Sequence, residues 1–187
     1  MIGKLPKTLT VNGKEYAIRT DYRDCLLILQ AFIDANLNDR EKSTVMLQIL
    51  YKDYKSIPQE DIQKALEKAV WFLNCGDSIK ESKIKEKPLY DFEHDEQMLF
   101  SAVNKVAGTE IRSLDYLHFW TFIGFFNEIG EGMFATVINI RNKKNKHQKL
   151  EKWEQEFYAH NKEMIDLPER LSKEEKEEQE LVDTLFF

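Results

Sequence analysis

Apolar positions recur mostly at three- and four-residue spacing along this chain, after a short alternating stretch near its start. The runs 8–11 and 15–19 are rich in β-formers and flank Asn12-Gly13, a pair that accepts the positive φ angles of a type I′ turn. They predict a small hairpin, which must lean on helices or pair with another chain, since an isolated hairpin is marginal in water. Asp21 has the position of an N-cap for a helix through Cys25, Leu26, Leu29, Phe32 and Ile33. Residues 36–38 break it. A second helix is expected over 39–54, with Val45, Met46, Ile49 and Leu50 inward, and Pro58 suits the first turn of a third. That third helix has the cleanest period: Ile62, Ala65, Leu66, Ala69, Val70 and Leu73, closed by Cys75-Gly76.

After a charged stretch at 77–87, Asp91 opens a predicted helix through Leu99, Ala102, Val103 and Val106, with Gly108 as its C-cap. Ser113 is expected to cap the next, over 114–126. That stretch is apolar on every helical side yet too short and interrupted to cross a bilayer, which describes a helix inside a core, with Gly124 allowing a neighbour close. The break at 130–132 separates it from Met133, Phe134, Val137, Ile138 and Arg141. Leu150, Trp153, Phe157 and Met164 continue an apolar stripe until Leu167-Pro168.

The predicted fold is therefore mainly α, a compact multi-helix domain with a small N-terminal hairpin. Residues 1–76 carry the hairpin and three helices, and 77–90 form a charged linker. Residues 91–168 form a helical part sharing the core, and 169–187 an acidic tail with an apolar end. With 7 Gly and 4 Pro in 187 residues, composition argues against a loop-rich β fold. The start of the chain shows no signal peptide and no stretch suggests a membrane span. Cys25 and Cys75 lie far apart in apolar helical patterns and are expected as buried, reduced thiols.

A net charge of −6 disfavours nucleic-acid binding as the main task. The segment 141–152 is nevertheless basic, with Arg141, Lys143, Lys144, Lys146, Lys149 and Lys152. Aromatics for base stacking are missing until Trp153, so a solvated face or an acidic protein partner fits better. The glutamates of the tail (174, 175, 177, 178 and 180) offer one such partner within the chain.

Phosphate loops, nucleophile elbows and zinc-ligand spacings are missing from the sequence, and no cofactor is expected. Two clusters invite a catalytic reading. Asp91, Glu93, His94, Asp95 and Glu96 combine oxygen ligands with an imidazole, as a divalent metal would require, but consecutive helical residues fan apart. His118 has Asp115 one helical turn earlier as an orienting carboxylate, with no nucleophile beside it, so a hydrogen-bonded core histidine is the better reading. The tail residues Leu181, Leu185, Phe186 and Phe187 must dock on the chain's own core or in a partner's groove. With Lys143, Lys144 and Lys146 they are the candidate partner-binding residues.

Several blocks in order resemble the bacteriophage gene-product-fifteen family. They are Leu5-Pro6, Val11-Asn12-Gly13-Lys14-Glu15-Tyr16 and Thr20-Asp21-Tyr22-Arg23, then Glu41-Lys42, Ile49-Leu50-Tyr51 and Trp71-Phe72-Leu73 before Gly76. Tyr90-Asp91-Phe92-Glu93-His94-Asp95, Leu117-His118-Phe119-Trp120 and Ile140-Arg141 follow. The likeness runs from about residue 5 to residue 160. It departs at Phe119, where the family often has tryptophan, fits loosely over 106–110, and does not extend to the tail beyond Asn161.

The resemblance implies a protein of the phage tail module, acting in the host bacterial cytoplasm as a tail assembly chaperone that keeps the tape-measure protein soluble. Tail-tube protein or a second tail assembly chaperone would be further partners, and self-association is left open. It implies no catalytic residues. The alternatives are a minor structural component of the tail and, more remotely, a metal- or histidine-dependent enzyme.

Overall fold

The computed structural model describes residues 3–77, 87–168, 170 and 175. Among them are one two-stranded antiparallel sheet and eight α-helices, so the fold is mainly α with a small hairpin. The chain divides into two compact units, the first built on residues 3–77 and the second on 87–168.

In the N-terminal unit, β1 (Thr8–Val11) pairs with β2 (Lys14–Ala17) in a register that places Val11 opposite Lys14. The two residues between them take φ of 45° and 84°, as a type I′ turn demands of Asn12-Gly13. β1 packs on α3 (Ile62–Leu73), burying Leu9 and Val11, and Asn12 Nδ2 donates to Asp61 Oδ1 at 2.6 Å. The hairpin thus leans on a helix.

Asp21 caps α1 (Tyr22–Ile33), its carboxylate accepting from Arg23 N at 3.0 Å. Tyr22, Cys25, Leu26 and Ile28 are buried, but Phe32 and Ile33 are each 39% exposed. Ile33 lies about three turns from Tyr22 on the same face. Its exposure therefore means that packing stops before the helix does.

α2 (Asp39–Leu50) starts at a reciprocal cap between Asn38 and Glu41 and ends short of residue 54. Tyr51 turns extended to bridge Ile18, Arg19 N donates to Leu50 O at 2.7 Å, and Lys52 N donates to Ala17 O at 3.0 Å. Sheet-like pairing overrides helical period there. Arg19 Nη1 also donates to the carbonyls of Gln48, Ile49 and Tyr51, placing a cation where the helix dipole is negative.

α3 buries Ala65, Ala69 and Phe72, and Tyr51 Oη donates to Ala65 O at 2.8 Å. Its end is a Schellman motif: Gly76 N donates to Trp71 O and Cys75 N to Phe72 O. The left-handed position falls on Cys75, with φ of 55°, ahead of Gly76. Cys25 is buried as expected and Cys75 only half-buried; both are free thiols.

The C-terminal unit holds α4 (Glu96–Ala107), α5 (Phe119–Asn127), α6 (Met133–Asn145), α7 (Lys152–His160) and α8 (Lys162–Ile165). α4 packs against α5 and α6, and α8 against α6 and α7. Leu99, Val103, Ile111, Phe119, Phe122, Val137, Ile140 and Ile165 are fully buried. Gly108 ends α4 in the left-handed conformation, at φ of 68°.

Two helix starts differ from the pattern-based expectation. α4 begins at Glu96 because Asp91 caps an earlier turn, accepting from Glu93 N at 2.9 Å and His94 N at 3.1 Å. α5 begins at Phe119, after a 3₁₀ turn at Ile111–Ser113, and its cap is His118, whose Nδ1 accepts from Trp120 N at 3.1 Å. Periodicity does not locate that start, since residues on both sides of it are apolar.

Nor is α5 buried all round. Phe119 and Phe122 are buried, while Trp120, Ile123, Phe125 and Phe126 are half-buried. Phe126 stacks edge-on against Tyr90 and Phe134, with ring centroids 5.0 and 5.8 Å away. Gly124 is exposed, and a Cβ there would meet nothing within 4 Å, so no neighbour requires that glycine.

Candidate functional site

The C-terminal unit is organised around Arg141, on the buried face of α6. Its guanidinium meets Asp95 end-on, Nη1 donating to Oδ2 at 2.6 Å and Nη2 to Oδ1 at 2.9 Å, with both side chains almost wholly buried. Nε donates to Ile165 O, Nη2 to Met164 O and Nη1 to Leu89 O, at 2.6, 2.8 and 3.0 Å. All five N–H groups of the fork have acceptors, the condition under which a buried guanidinium is tolerated. Asp95 also accepts from Asp91 N at 2.9 Å. One side chain thus ties α6 to the start of α4, to the end of α8 and to the bend at Leu89.

Two further ion pairs join α6 to the helices after it. Glu154 is fully buried in α7 and accepts from Lys143 Nζ at 2.6 Å, Asn139 Nδ2 at 3.2 Å and Glu151 N at 2.8 Å. The Lys143 hydrogen bond holds its pKa below the ordinary carboxylate value, burial opposes, and the Glu151 amide assists. Lys144 pairs with Asp166 and lies 3.8 Å from the centre of the Tyr158 ring, whose hydroxyl donates to Asp166 Oδ2 at 2.7 Å. Burial pushes Asp166 upward, but the hydrogen bonds from Lys144 and Tyr158 leave it lowered.

In front of this framework lies an open cleft of about 470 Å³. Met98, Met133 and Met164 line it, and Glu93, Glu96 and Glu163 stand around it with His94 and Gln97. Met98 rests on the core formed by Val137, Ile140 and Ile165. Met133 and Met164 remain 51% and 37% exposed. Because Arg141 grips the carbonyl of Met164 and the carboxylate of Asp95, it fixes two of the cleft's walls. Methionine surfaces adapt to varied apolar partners, since the thioether side chain is flexible and polarizable.

Of the sequence-predicted partner residues, the three lysines are described. Lys143 and Lys144 are engaged by Glu154 and Asp166, acids of α7 and of the turn after α8, where the sequence offered the tail glutamates as one candidate. Lys146 is exposed. Leu181, Leu185, Phe186 and Phe187 lie outside the described residues. Trp153, expected in the apolar stripe, is 51% exposed while its neighbour Glu154 takes the inward position.

The model of the family described as Bacteriophage Gp15 protein matches residues 1–167. The chain belongs to this family. The Gp15 match takes in both units, including Asp95, Arg141, Glu154 and the three cleft methionines. It stops before residues 181–187. Comparison with curated proteins and with solved structures gives no match to either.

In this Gp15-family chain the acidic residues around His94 fan apart and His118 is a buried, hydrogen-bonded histidine, the arrangement the sequence favoured for both clusters. Asp91 and Asp95 are buried and hold backbone amides and Arg141, while Glu93, His94 and Glu96 are exposed. Among the described residues no three of His, Cys, Asp or Glu converge as a metal site. His118 is buried at the helix N-terminus with its Nδ1 accepting an amide. Asp115 is exposed in the segment before α5, so the expected shared helical turn does not form. No described helix is long and apolar enough to cross a membrane.

Sequence reasoning missed the importance of Arg141 and Glu154. The signal lay in helical phase: Arg141 follows Phe134 and Val137 at seven and four residues, and Glu154 falls between Leu150 and Phe157. A charge at the apolar phase of a helix implies a buried partner.

Proposed function

We propose that this protein is a phage tail assembly chaperone that binds the tape-measure protein in the host bacterial cytoplasm and keeps it soluble until tail-tube protein covers it. The family match over residues 1–167 carries the reading. Physical chemistry supports it. A long helical client exposes apolar stripes before assembly, an aggregation hazard that calls for reversible apolar contact. The methionine-lined cleft offers such contact, and exposed acidic residues with a net charge of −6 favour solubility of the complex.

The competing reading is a minor structural component of the tail. Quantitative mass spectrometry of purified virions separates the two. A chaperone is absent from finished particles or present only in traces, whereas a fixed stoichiometric number of copies per particle overturns the proposal.

A further inference from the structure

We infer that the methionine-lined cleft of the C-terminal unit is a docking groove for an amphipathic helix whose apolar face is flanked by lysine or arginine. The inference rests on the chaperone reading only for the identity of the protein carrying that helix. The floor is apolar and adaptable: Met98 sits on the core, and Met133 and Met164 stand exposed above it. The rim is of one sign. Glu93, Glu96 and Glu163 are exposed, and the remaining carboxylate of the lining, Asp95, is already paired with Arg141.

A helix laying an apolar stripe into such a groove brings its flanking side chains against the rim, where cations are attracted and carboxylates repelled. The same charge argument disfavours the chain's own glutamate-rich tail as occupant. The walls come from the starts of α4 and α6 and from α8, held by the Arg141–Asp95 framework, so the groove is shaped before a partner arrives.

The test uses the full chain and two synthetic helical peptides. Both carry leucine and methionine at positions i, i+3, i+4 and i+7; one has lysine flanks and the other glutamate flanks. Calorimetric titration at low salt should show the lysine peptide binding about tenfold more tightly, with the gap narrowing as salt rises. Met133→Ser with Met164→Ser should weaken it by about tenfold. The exposed pair Glu93→Lys and Glu163→Lys keeps the framework and should invert the peptide preference, with circular dichroism confirming the fold.

Equal affinity for the two peptides, or affinity unmoved by either pair of substitutions, overturns the inference. So does tighter peptide binding on removal of residues 181–187, which would make the tail the occupant. A concentration-dependent dimer dispersed by Glu163→Lys would make the occupant a second copy and overturn it equally. Peptide binding without solubilisation of tape-measure protein in cells upholds the groove and contradicts the chaperone reading. Solubilisation that survives both pairs of substitutions upholds the chaperone reading and contradicts the groove.

Discussion

Among the described residues, the N-terminal unit buries no charged side chain and, beyond its tyrosines and Cys25, one polar one, Thr20, whereas the C-terminal unit buries Asp91, Asp95, His118, Arg141 and Glu154. The first unit is joined by apolar packing and backbone pairing: hairpin on α3, Ile18 against Tyr51, and Arg19 on the carbonyls ending α2. The second joins its helices through buried or half-buried ion pairs, Asp95 with Arg141 and Lys143 with Glu154. Such pairs contribute little net stability compared with apolar isosteres, yet removing one partner is costly because the other stays buried and charged. The C-terminal unit therefore gains a defined geometry around its cleft and becomes sensitive to the loss of single charges.

The largest expected effect follows from that asymmetry. Asp95→Ala strands the Arg141 guanidinium and should destabilise the C-terminal unit by about 3–5 kcal/mol. Urea denaturation should show it, and hydrogen exchange should locate the lost protection in α4, α6 and α8. Adding Arg141→Met to Asp95→Ala should recover part of the loss. A single-variant cost under about 1 kcal/mol, typical of exposed pairs, would erase the contrast between the units.

Titration should divide the units next. Glu154 and Asp166 have lowered pKa values, and Glu110 is held at about 2, chiefly by hydrogen bonds from Arg112. Their contribution is fully present above the unfolded values, about 4.5 for the glutamates and 3.8 for the aspartate, and is lost as pH falls toward the folded values. In the N-terminal unit, burial raises the Cys25 thiol and the Tyr51 phenol. Both stay protonated in the fold while the unfolded chain ionises, so their contribution falls as pH rises above about 9. Asp34 in the N-terminal unit is also lowered, and Tyr90 and Lys144 in the C-terminal unit are also raised, but the more numerous lowered carboxylates lie in the C-terminal unit and the largest raised groups in the N-terminal one. Residue-resolved exchange should therefore find the C-terminal unit loosening first in acid and the N-terminal unit first in alkali. The reverse order would break the comparison.

Smaller effects sharpen it within the N-terminal unit. Tyr51→Phe removes the buried hydrogen bond to Ala65 O and should cost about 1 kcal/mol in thermal or urea unfolding. Tyr16 Oη is buried without a hydrogen-bond partner, so Tyr16→Phe should leave stability unchanged or raise it by up to about 1 kcal/mol. A loss from Tyr16→Phe equal to that from Tyr51→Phe would show that the hydroxyl is paired in solution.

What was legible in the sequence follows the range of the forces involved. Asn12-Gly13, Asp21 and Gly108 act on their own turn, and each stands where its residue type predicts. The family blocks, from Leu5-Pro6 to Ile140-Arg141, were legible as well, and the match over residues 1–167 contains them. Hidden were the features set by partners far away. Arg141 looked like the first cation of a basic run because Asp95 is 46 residues off. Trp153 and Glu154 exchanged roles because Lys143 neutralises the carboxylate. The start of α5 was obscured by a histidine cap between apolar residues. Of the cleft, Glu93, His94, Asp95 and Glu96 were singled out for their chemistry, but only packing brings Met133 and Met164 to them.

The functional reading is tested most directly by co-expressing this chain with the tape-measure protein of the same phage and measuring how much of that protein is soluble. The account predicts that tape-measure protein moves into the soluble fraction and co-purifies with the chain. Tape-measure protein that stays insoluble, or that is soluble yet elutes apart from the chain, would contradict it.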